Sequence, residues 1–398
     1  MRKLEISIND TIDNPEEIRP LIEEFERQQK TVVDIQIFDW DIAWTEIMKI
    51  SLFRHGPVVS ETGDTWMGSL AGQNSLRAFK KDEVDAIGGT EVFLGEMWQS
   101  CLDFDGENIL AIPWLLDTYL VFYRRDLLEK AGVDAASAFA TSENFMQTLE
   151  KLQQNGVRNP LAIPTGGNFL SIMHNASSYV WESGGDFIST DGRQVFFTNP
   201  STLAGLRNYF ELYRFLSPAS QSMNDTACLN AFSDGETAIT LRYPPSLHEL
   251  KRGRWPKQLT DVVGMAAQPG IPFIGGSNLI IWKHIPPEQE KSALELIRYL
   301  TSTETMALLF QKTGLIPARL AALDQIESDP LYAPVIQSFK TGRAYKRIPM
   351  WGLVEDKLNK ALNNIWQKIF STPTPDIDRI ILETLTPLEE RLNITLSP

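Results

Sequence analysis

The sequence predicts an α/β protein with two domains. Its 398 residues exceed the length at which one hydrophobic core usually stops growing. Residues 4–8 alternate apolar and polar side chains, as in a strand, and residues 18–25 then place apolar side chains on one face of a helix. Strand and helix patterns continue to alternate along the chain, which favours doubly wound layers built on parallel strands.

The first elements follow from local patterns. Asn14-Pro15 is typical of a helix start, and a helix with Ile18, Leu21 and Phe25 inward is expected after it. We expect a strand over residues 31–38, a helix over 39–53 and a strand over 57–60.

The middle of the chain is expected to cross from the first domain into the second. Ile112-Pro113-Trp114 favours extended backbone, and a helix is expected from about Asp126 to Gly132. Further helices are expected over 143–154 and 171–183, with a strand and glycine turn over 161–167 between them.

The last third of the chain contains a glycine-rich segment. We expect a helix from Pro200, a strand over 238–241, a glycine turn over 275–278 and a strand over 279–282. Two helices that stop at Gly314 and a helix over 353–370 complete the pattern.

Composition excludes several classes of protein. The net charge of −14 disfavours nucleic acid as a partner, because phosphate binding needs clustered Lys and Arg. No window reaches the ~18 apolar residues of a membrane span. The first ten residues contain no apolar core of an export signal, so removal of such a segment and an intracellular location both stay open.

The two cysteines, Cys101 and Cys228, are too few for a disulfide framework and lack CxxC spacing, so buried free thiols are expected. The four histidines are scattered and form no HExxH motif, so neither a metal site nor a cofactor is expected. A GxSxG motif is also absent from the sequence. A glycoside hydrolase needs only two carboxylates and stays open as an alternative.

Four blocks carry a family resemblance. They are DWDIAWTEIM from Asp39 with GDTWMGSLA from Gly63, ILAIPWLLDTYLVFYRRDLLEKAGV from Ile109, the segment from Val195 to Tyr243 with AFSDGETAITLRYPPS, and the segment from Gly264 to Leu323 that contains IGGSNLIIW. Together they resemble the extracellular solute-binding proteins of family 1, the sugar-type receptors of ABC importers, over nearly the whole chain. The resemblance implies a two-lobe, periplasmic-binding-protein-like type II fold with a hinge between lobes. By analogy the N-terminal lobe is 1–112 and 268–313, and the C-terminal lobe is 113–267 and 314–398.

The resemblance also implies a function. It predicts a monomeric, non-enzymatic protein in the periplasm or at the cell surface that captures a mono- or oligosaccharide in an interlobe cleft. The sugar would then pass to the membrane permease subunits of an ABC importer. A sensory or regulatory module of the same fold stays open as an alternative, because the fold alone does not fix function.

Aromatic and short polar residues predict where a sugar binds. Indole faces pack against the C–H faces of sugar rings, while carboxylates and Arg bind hydroxyl or charged groups. Each tryptophan can instead fill the core and each aspartate can be a solvated loop charge, and Trp44, Trp98, Trp282 and Trp366 are expected in the core. Gly166-Gly167-Asn168 and Gly275-Gly276-Ser277 lack phosphate-loop spacing, so their glycines are expected to allow tight turns or close backbone approach to a ligand. The candidate ligand-binding residues are Trp40, Asp41, Asp64, Thr65, Trp66, Trp114, Asp117, Gly167, Asn168, Trp181, Arg242, Tyr243, Gly276, Ser277 and Trp351.

Overall fold

The computed structural model describes residues 2–10, 17–167, 170–253, 255–346 and 348–397, without the side chains of Arg2 and Asp41. The chain divides into two compact units. Unit 1 comprises Met1–Asp117, Gly275–Pro330 and Arg347–Gly352, and unit 2 comprises Thr118–Ile274, Leu331–Lys346 and Leu353–Pro398. The first crossing thus follows Asp117, and residues 314–330 and 347–352 belong to unit 1.

The strands are short and fall in both units. They are β1 (Arg2–Asn9), β2 (Thr31–Phe38), β3 (Val59–Gly63), β4 (Ala111–Thr118), β5 (Leu120–Arg124), β6 (Leu161–Ala162), β7 (Ile239–Arg242), β8 (Val263–Ala267), β9 (Ile274–Ile281) and β10 (Ile316–Pro317).

Helices make up most of the remaining regular structure. They are α1 (Arg19–Gln29), α2 (Trp40–Phe53), α3 (Met67–Gly72), α4 (Lys81–Ile87), α5 (Gly95–Ser100), α6 (Arg125–Lys130), α7 (Ser142–Gln154), α8 (Ser171–Glu182), α9 (Pro200–Phe210), α10 (Asp225–Ser233), α11 (Pro245–Lys251), α12 (Lys257–Thr260), α13 (Pro287–Leu300), α14 (Thr303–Thr313), α15 (Leu320–Glu327), α16 (Ala333–Thr341), α17 (Trp351–Ser371) and α18 (Ile377–Leu396). None of the described helices is long and apolar enough to cross a membrane.

The sheet of unit 1 has the strand order β10-β4-β9-β3-β1-β2. β1 pairs in parallel with β2 and β3, whereas β3 pairs with β9 and β10 pairs with β4 in the antiparallel sense. The parallel pairing expected for the first strands is therefore confirmed, whereas the later strands β9 and β10 make the sheet mixed. Because β1, β2 and β3 run in the same direction, their carboxyl ends lie at one edge of the sheet.

The sheet of unit 2 has the order β6-β7-β5-β8. β5 pairs antiparallel with β7 and β8, and β6 pairs in parallel with β7. Helices α8 and α9 pack together beside it, with Val180 of α8 so close to Gly205 of α9 that a Cβ on this glycine would overlap the Val180 backbone. A glycine at this position therefore lets the two helices approach closely.

The glycine turn expected at residues 275–278 is wrong, because Gly275–Asn278 lie inside strand β9. Ser277 pairs with Gly63 and Asn278 with Thr62 of β3. A Cβ on Gly276 would overlap the carbonyl oxygen of Leu115 in β4, so glycine serves close strand packing here. The expected helix start at Asn14-Pro15 lies outside the described residues, and α1 begins at Arg19.

Several other local predictions are confirmed. Strand β2 has the expected bounds, helix α14 ends at Gly314 in the left-handed region with φ of 77°, and both cysteines are buried free thiols. Trp282 and Trp366 are fully buried in their units, as expected for core residues. Trp44, which was also expected in the core, is only half-buried.

Candidate ligand-binding site

Two carboxylates and three indoles of unit 1 form what we call the carboxylate–indole cluster: Glu61, Asp64, Trp40, Trp44 and Trp66. Glu61 lies in β3, and Asp64 begins a short 3-10 turn, Asp64–Trp66, that leads into α3. Trp40 begins α2 directly after β2. The parallel course of β2, β1 and β3 therefore places the start of α2 and the Asp64 turn at the same sheet edge.

Two of the indoles pack against the third, Trp66. The ring centre of Trp66 lies 5.3 Å from that of Trp40 at 61°, and 5.6 Å from that of Trp44 at 55°. Both are edge-on or tilted contacts of the kind that aromatic quadrupoles favour. The Trp66 ring also lies 3.3 Å from the position of a Cβ on Gly63, so a side chain there would crowd the indole. Trp66 is 5% exposed and Trp40 is half-buried, so solvent reaches the cluster at Trp40.

The two carboxylates are held by neutral donors. The backbone N–H of Asn9 donates to Glu61 Oε2 at 2.7 Å. The N–H groups of Gly276, Thr65 and Asp64 itself lie close enough to the Asp64 carboxylate to lower its pKa. Burial raises the pKa of Glu61 to about 7, and the Ser277 hydroxyl and the Asn9 N–H partly offset that effect. Burial likewise raises the pKa of the half-buried Asp64 to about 7, against the opposing effect of its backbone donors.

Three buried polar side chains beside these carboxylates have atoms without a hydrogen-bond partner among the described residues. They are Glu61 Oε1, both amide atoms of Asn9, and Ser277 Oγ. Ser277 Oγ is close enough to lower the pKa of Glu61, although it does not meet the geometry of a hydrogen bond. Unpartnered buried polar atoms cost free energy, so such a group commonly marks a place for a ligand or an ordered water.

The segment before α17 packs on the other side of the Trp66 turn. A Cβ on Gly68 would overlap the Ile348 carbonyl, and the Ser69 hydroxyl donates to the Pro349 carbonyl at 3.4 Å. The Cβ position of Gly352 lies 3.0 Å from the Trp44 ring. Trp351 therefore stands next to the cluster in the chain, but its side chain is 2% exposed.

In unit 2, Arg242 and Tyr243 belong to what we call the Arg242 network, which also contains Asp225, Ser171 and Tyr119. Tyr119 donates to Ser171 Oγ at 2.9 Å, and Ser171 donates to Asp225 Oδ2 at 2.6 Å. Asp225 Oδ1 lies 3.8 Å from Arg242 Nη1. Burial raises the pKa of Asp225, and the Ser171 hydroxyl and the Arg242 charge partly offset this rise. The Arg242 guanidinium lies 4.4 Å from the Tyr243 ring centre.

Trp181 of unit 2 belongs to a second aromatic group. Its ring centre lies 5.3 Å from that of Tyr345 and 5.1 Å from the Arg343 guanidinium, which pairs with Asp186. The Tyr345 hydroxyl also forms a hydrogen bond of 3.0 Å with His174 Nδ1. The His174 ring in turn stacks on the ring of another aromatic residue. Trp181 itself is 3% exposed.

The remaining candidates are spread over both units. Trp114 lies in the middle of β4, in the extended backbone expected there, and its side chain is only 1% exposed. Asp117 is half-buried, and Gly167 is exposed with a positive φ of 105°. Asn168 and the side chain of Asp41 lie outside the described residues. A surface depression of about 360 Å³ in unit 2, lined by residues 184–186, 196 and 199–202, contains none of the candidates.

Sequence reasoning missed Glu61, Asn9, Asp225 and His174. The signal for Glu61 was present, because an acidic residue inside an otherwise buried strand is rare unless it has a partner or a function. The signal for Asp225 and His174 was absent, because their partners come from distant segments of the chain.

Family comparison fits this architecture. Residues 20–334 match the family model of the bacterial extracellular solute-binding proteins. The chain belongs to this family. As a member of this family, the chain binds a solute and is not an enzyme, as the sequence predicted.

Relatives of this solute-binding protein are distant. A probable ABC transporter-binding protein of Deinococcus radiodurans is 24% identical over 65% of this chain and 59% of its own length. The sn-glycerol-3-phosphate-binding periplasmic protein of Rhizobium meliloti is 20% identical over 80% of this chain and 76% of its own. A maltooligosaccharide ABC transporter solute-binding lipoprotein of Streptococcus pneumoniae is 22% identical over 70% of this chain and 66% of its own length.

Solved structures show the fold. Maltose-bound MalE3 of T. maritima aligns with a TM-score of 0.83 at 20% identity, over 98% of this chain and 100% of that one. A tagatose-bound ABC transporter solute-binding protein of Thermotoga Lettingae gives the same TM-score of 0.83 at 18% identity, over 100% of both chains. The predicted two-lobe, periplasmic-binding-protein-like α/β fold is thereby confirmed.

Proposed function

We propose that this solute-binding protein captures a mono- or oligosaccharide outside the cytoplasm and delivers it to the permease subunits of an ABC importer. The observation that carries the proposal is the carboxylate–indole cluster of unit 1. Indole faces suit the C–H faces of a sugar ring, and carboxylates accept hydrogen bonds from its hydroxyls. The name of the maltooligosaccharide ABC transporter solute-binding lipoprotein and the maltose bound to MalE3 support the same ligand class.

The two other aromatic groups fit a ligand with several hydroxyls. The Arg242 network and the Trp181 group each combine an aromatic face with a guanidinium, and Arg242 Nη1 and Asp225 Oδ1 lack a hydrogen-bond partner among the described residues. The interlobe cleft and the hinge closure expected from the sequence stay predictions.

A calorimetric titration against mono- and oligosaccharides tests the proposal. We expect at least one saccharide to bind with a submillimolar dissociation constant and to be recovered unchanged after incubation. Steady release of a cleaved product would instead support the glycoside hydrolase alternative. Binding of amino acids or simple polyamines, with no response to any saccharide, would overturn the proposal.

Small-angle scattering tests the predicted closure. We expect the radius of gyration to fall when the identified saccharide is added in excess. Identical free and bound profiles, with binding shown by calorimetry in the same buffer, would contradict hinge closure and leave the ligand class unaffected.

A further inference from the structure

We propose that the saccharide bound by this protein carries a protonated amine, and that the carboxylate–indole cluster of unit 1 holds the ammonium group. The inference rests on the proposed carbohydrate function and narrows its ligand class. Three independent features of unit 1 support it. Two carboxylates have no cation paired with them, three indoles lie beside them, and several buried acceptor atoms lack a hydrogen-bond partner among the described residues.

The first feature is the lack of a cation beside the two carboxylates of the cluster. Among the described residues, neither Glu61 nor Asp64 forms an ion pair, and only neutral donors contact them. Glu83 of the same unit shows the usual arrangement, since Arg77 binds it with two hydrogen bonds of 2.5 and 2.6 Å. A buried carboxylate without such a partner is costly, and a cation supplied by a ligand would remove that cost.

The indoles provide the second feature. The ring centres of Trp40 and Trp44 lie 5.3 and 5.6 Å from that of Trp66, which belongs to the turn that begins with Asp64. Indole is the side chain with the strongest attraction for a cation over its face, and aromatic groups beside carboxylates are suited to ammonium ligands. A neutral hydroxyl gains less from the same faces.

The unpartnered atoms provide the third feature. An ammonium group has three donors and no acceptor. Glu61 Oε1, Asn9 Oδ1 and Ser277 Oγ are three acceptors without a partner, and each belongs to a side chain at most 3% exposed. The Asn9 amide nitrogen is also unpartnered, and it can donate to a hydroxyl of the same ligand. These residues lie on the adjacent strands β1, β3 and β9.

The charged residues nearest the cluster in the chain are acidic, and Glu46 and Lys49 of α2 pair with each other at 2.6 Å. Asp10 follows β1, Asp39 precedes α2, and Glu96 lies in α5, which packs beside the Asp64 turn. Strand β9, helix α3 and the described residues 348–352 contribute no charged side chain. Arg347 lies outside the described residues.

The inference gives a specific pH dependence. Burial raises the pKa of Glu61 and Asp64 to about 7, so both are largely protonated in the free protein below that pH. A cationic ligand favours their ionised forms, so binding releases protons and affinity rises with pH between about 6 and 7.5. It falls again once the amine of the ligand loses its own proton.

The test compares sugars that differ in one substituent. The panel contains glucosamine, N-acetylglucosamine and glucose, the corresponding galacto series, and the β-1,4-linked dimers with amine, acetamide or hydroxyl at C2. We expect the amine member of a matched set to bind at least tenfold more tightly than its acetylated and hydroxyl counterparts at pH 7. Equal or tighter binding of the neutral members would overturn the inference while leaving the carbohydrate function intact. Failure of every amino sugar to bind also overturns it. Binding of putrescine or choline with no saccharide bound would overturn both.

Substitutions locate the effect. Glu61→Gln and Asp64→Asn should each reduce the amine-to-hydroxyl affinity ratio toward one and flatten its pH dependence. Glu83→Gln is the matched control, because it neutralises a carboxylate of the same unit that already has its cation. We expect Glu83→Gln to leave the amine-to-hydroxyl affinity ratio unchanged. A preference that survives in both cluster variants, with folding verified by thermal unfolding, would show that another part of the protein selects the amine.

Discussion

The carbonyl oxygen of Leu115 occupies the space in which a side chain on Gly276 would begin. Leu115 lies in β4 and Gly276 in β9, which are neighbours in the sheet of unit 1. The Gly276 N–H also lies close enough to the Asp64 carboxylate to lower its pKa. The same residue therefore sets the spacing of two strands and adjoins one carboxylate of the cluster.

Gly276→Ala is expected to destabilise the protein. The added methyl would force β4 and β9 apart, and overpacking of this kind costs roughly 1–3 kcal/mol of unfolding free energy. Urea unfolding measures the loss. Gly72→Ala is the control, since no atom lies within 4 Å of its Cβ position at the end of α3. Equal stability of Gly276→Ala and the unchanged protein would contradict the close approach of the strands.

Trp40→Ala is expected to weaken binding more than folding. Trp40 is half-buried and contacts Trp66, so its loss removes an accessible aromatic face. We expect about thirtyfold lower affinity for the bound saccharide, or about 2 kcal/mol, and about 1 kcal/mol less stability. Calorimetry and thermal unfolding measure the two effects.

Trp282→Ala is the control for this prediction. Trp282 is fully buried and donates from Nε1 to the Ser60 hydroxyl at 2.8 Å. Its truncation should cost roughly 3–5 kcal/mol of stability. Because Trp66 and Trp351 are also buried, their alanine variants should lose stability as well as affinity. If Trp40→Ala lowers stability as much as Trp282→Ala and leaves affinity unchanged, Trp40 is a core residue.

Glu61→Gln is expected to stabilise the free protein at high pH. The pKa of Glu61 rises from 4.5 to about 7 on folding, so the folded state binds more protons than the unfolded chain between these values. The stability that the protonated group contributes is complete below pH 4.5 and is lost as pH rises through 7. We expect Glu61→Gln to be roughly 3 kcal/mol more stable than the unchanged protein at pH 8 and nearly equal at pH 4.5.

Glu83→Gln should behave in the opposite way. The hydrogen bonds from Arg77 lower the pKa of Glu83, so its stabilising effect is present at neutral pH and is lost on acidification. We expect a loss of roughly 1–3 kcal/mol at pH 8. Urea unfolding at several pH values tests both variants, and a destabilised Glu61→Gln at pH 8 would show that a cation pairs with Glu61 in solution.

The two cysteines are expected to report on the two units separately. Cys101 lies in unit 1 and Cys228 in unit 2, and both are fully buried. Burial raises the pKa of the Cys228 thiol, which further slows its reaction. With the single-cysteine variants Cys101→Ser and Cys228→Ser, labelling by a thiol reagent along a urea gradient should give one transition for each unit. Labelling of either thiol within seconds in native buffer would contradict its burial.

Much of the fold follows from local pattern in the sequence. The helix stop at Gly314 and the strand over 31–38 depend on a positive φ and on alternation, both of which neighbouring residues decide. The glycine segment of β9 was assigned to a turn because nothing local shows that Leu115 would lie against it. The antiparallel pairing of β9 with β3 was not predicted for the same reason.

The candidate site could also be predicted from the sequence only in part. Trp40, Asp64 and Trp66 are close in sequence to strand ends, and the rule that parallel strands end at one edge brings them together. Tryptophan burial depends on packing from distant segments, so Trp114 and Trp351 gave no local sign that their side chains would be covered. The placement of the candidates in a single ligand site stays a prediction.

The place of β9 in unit 1 also bears on protein synthesis. β9 stands between β4 and β3, yet it begins at Ile274, long after β3 ends at Gly63. Roughly 210 residues therefore separate the two partners, and at about 5–20 residues per second a ribosome needs about 10–40 s to make them. During that interval β3 and β4 each lack the strand that pairs with them in the folded unit. A holding chaperone, or slow translation that keeps nascent chains apart, would protect these strands from pairing with other molecules.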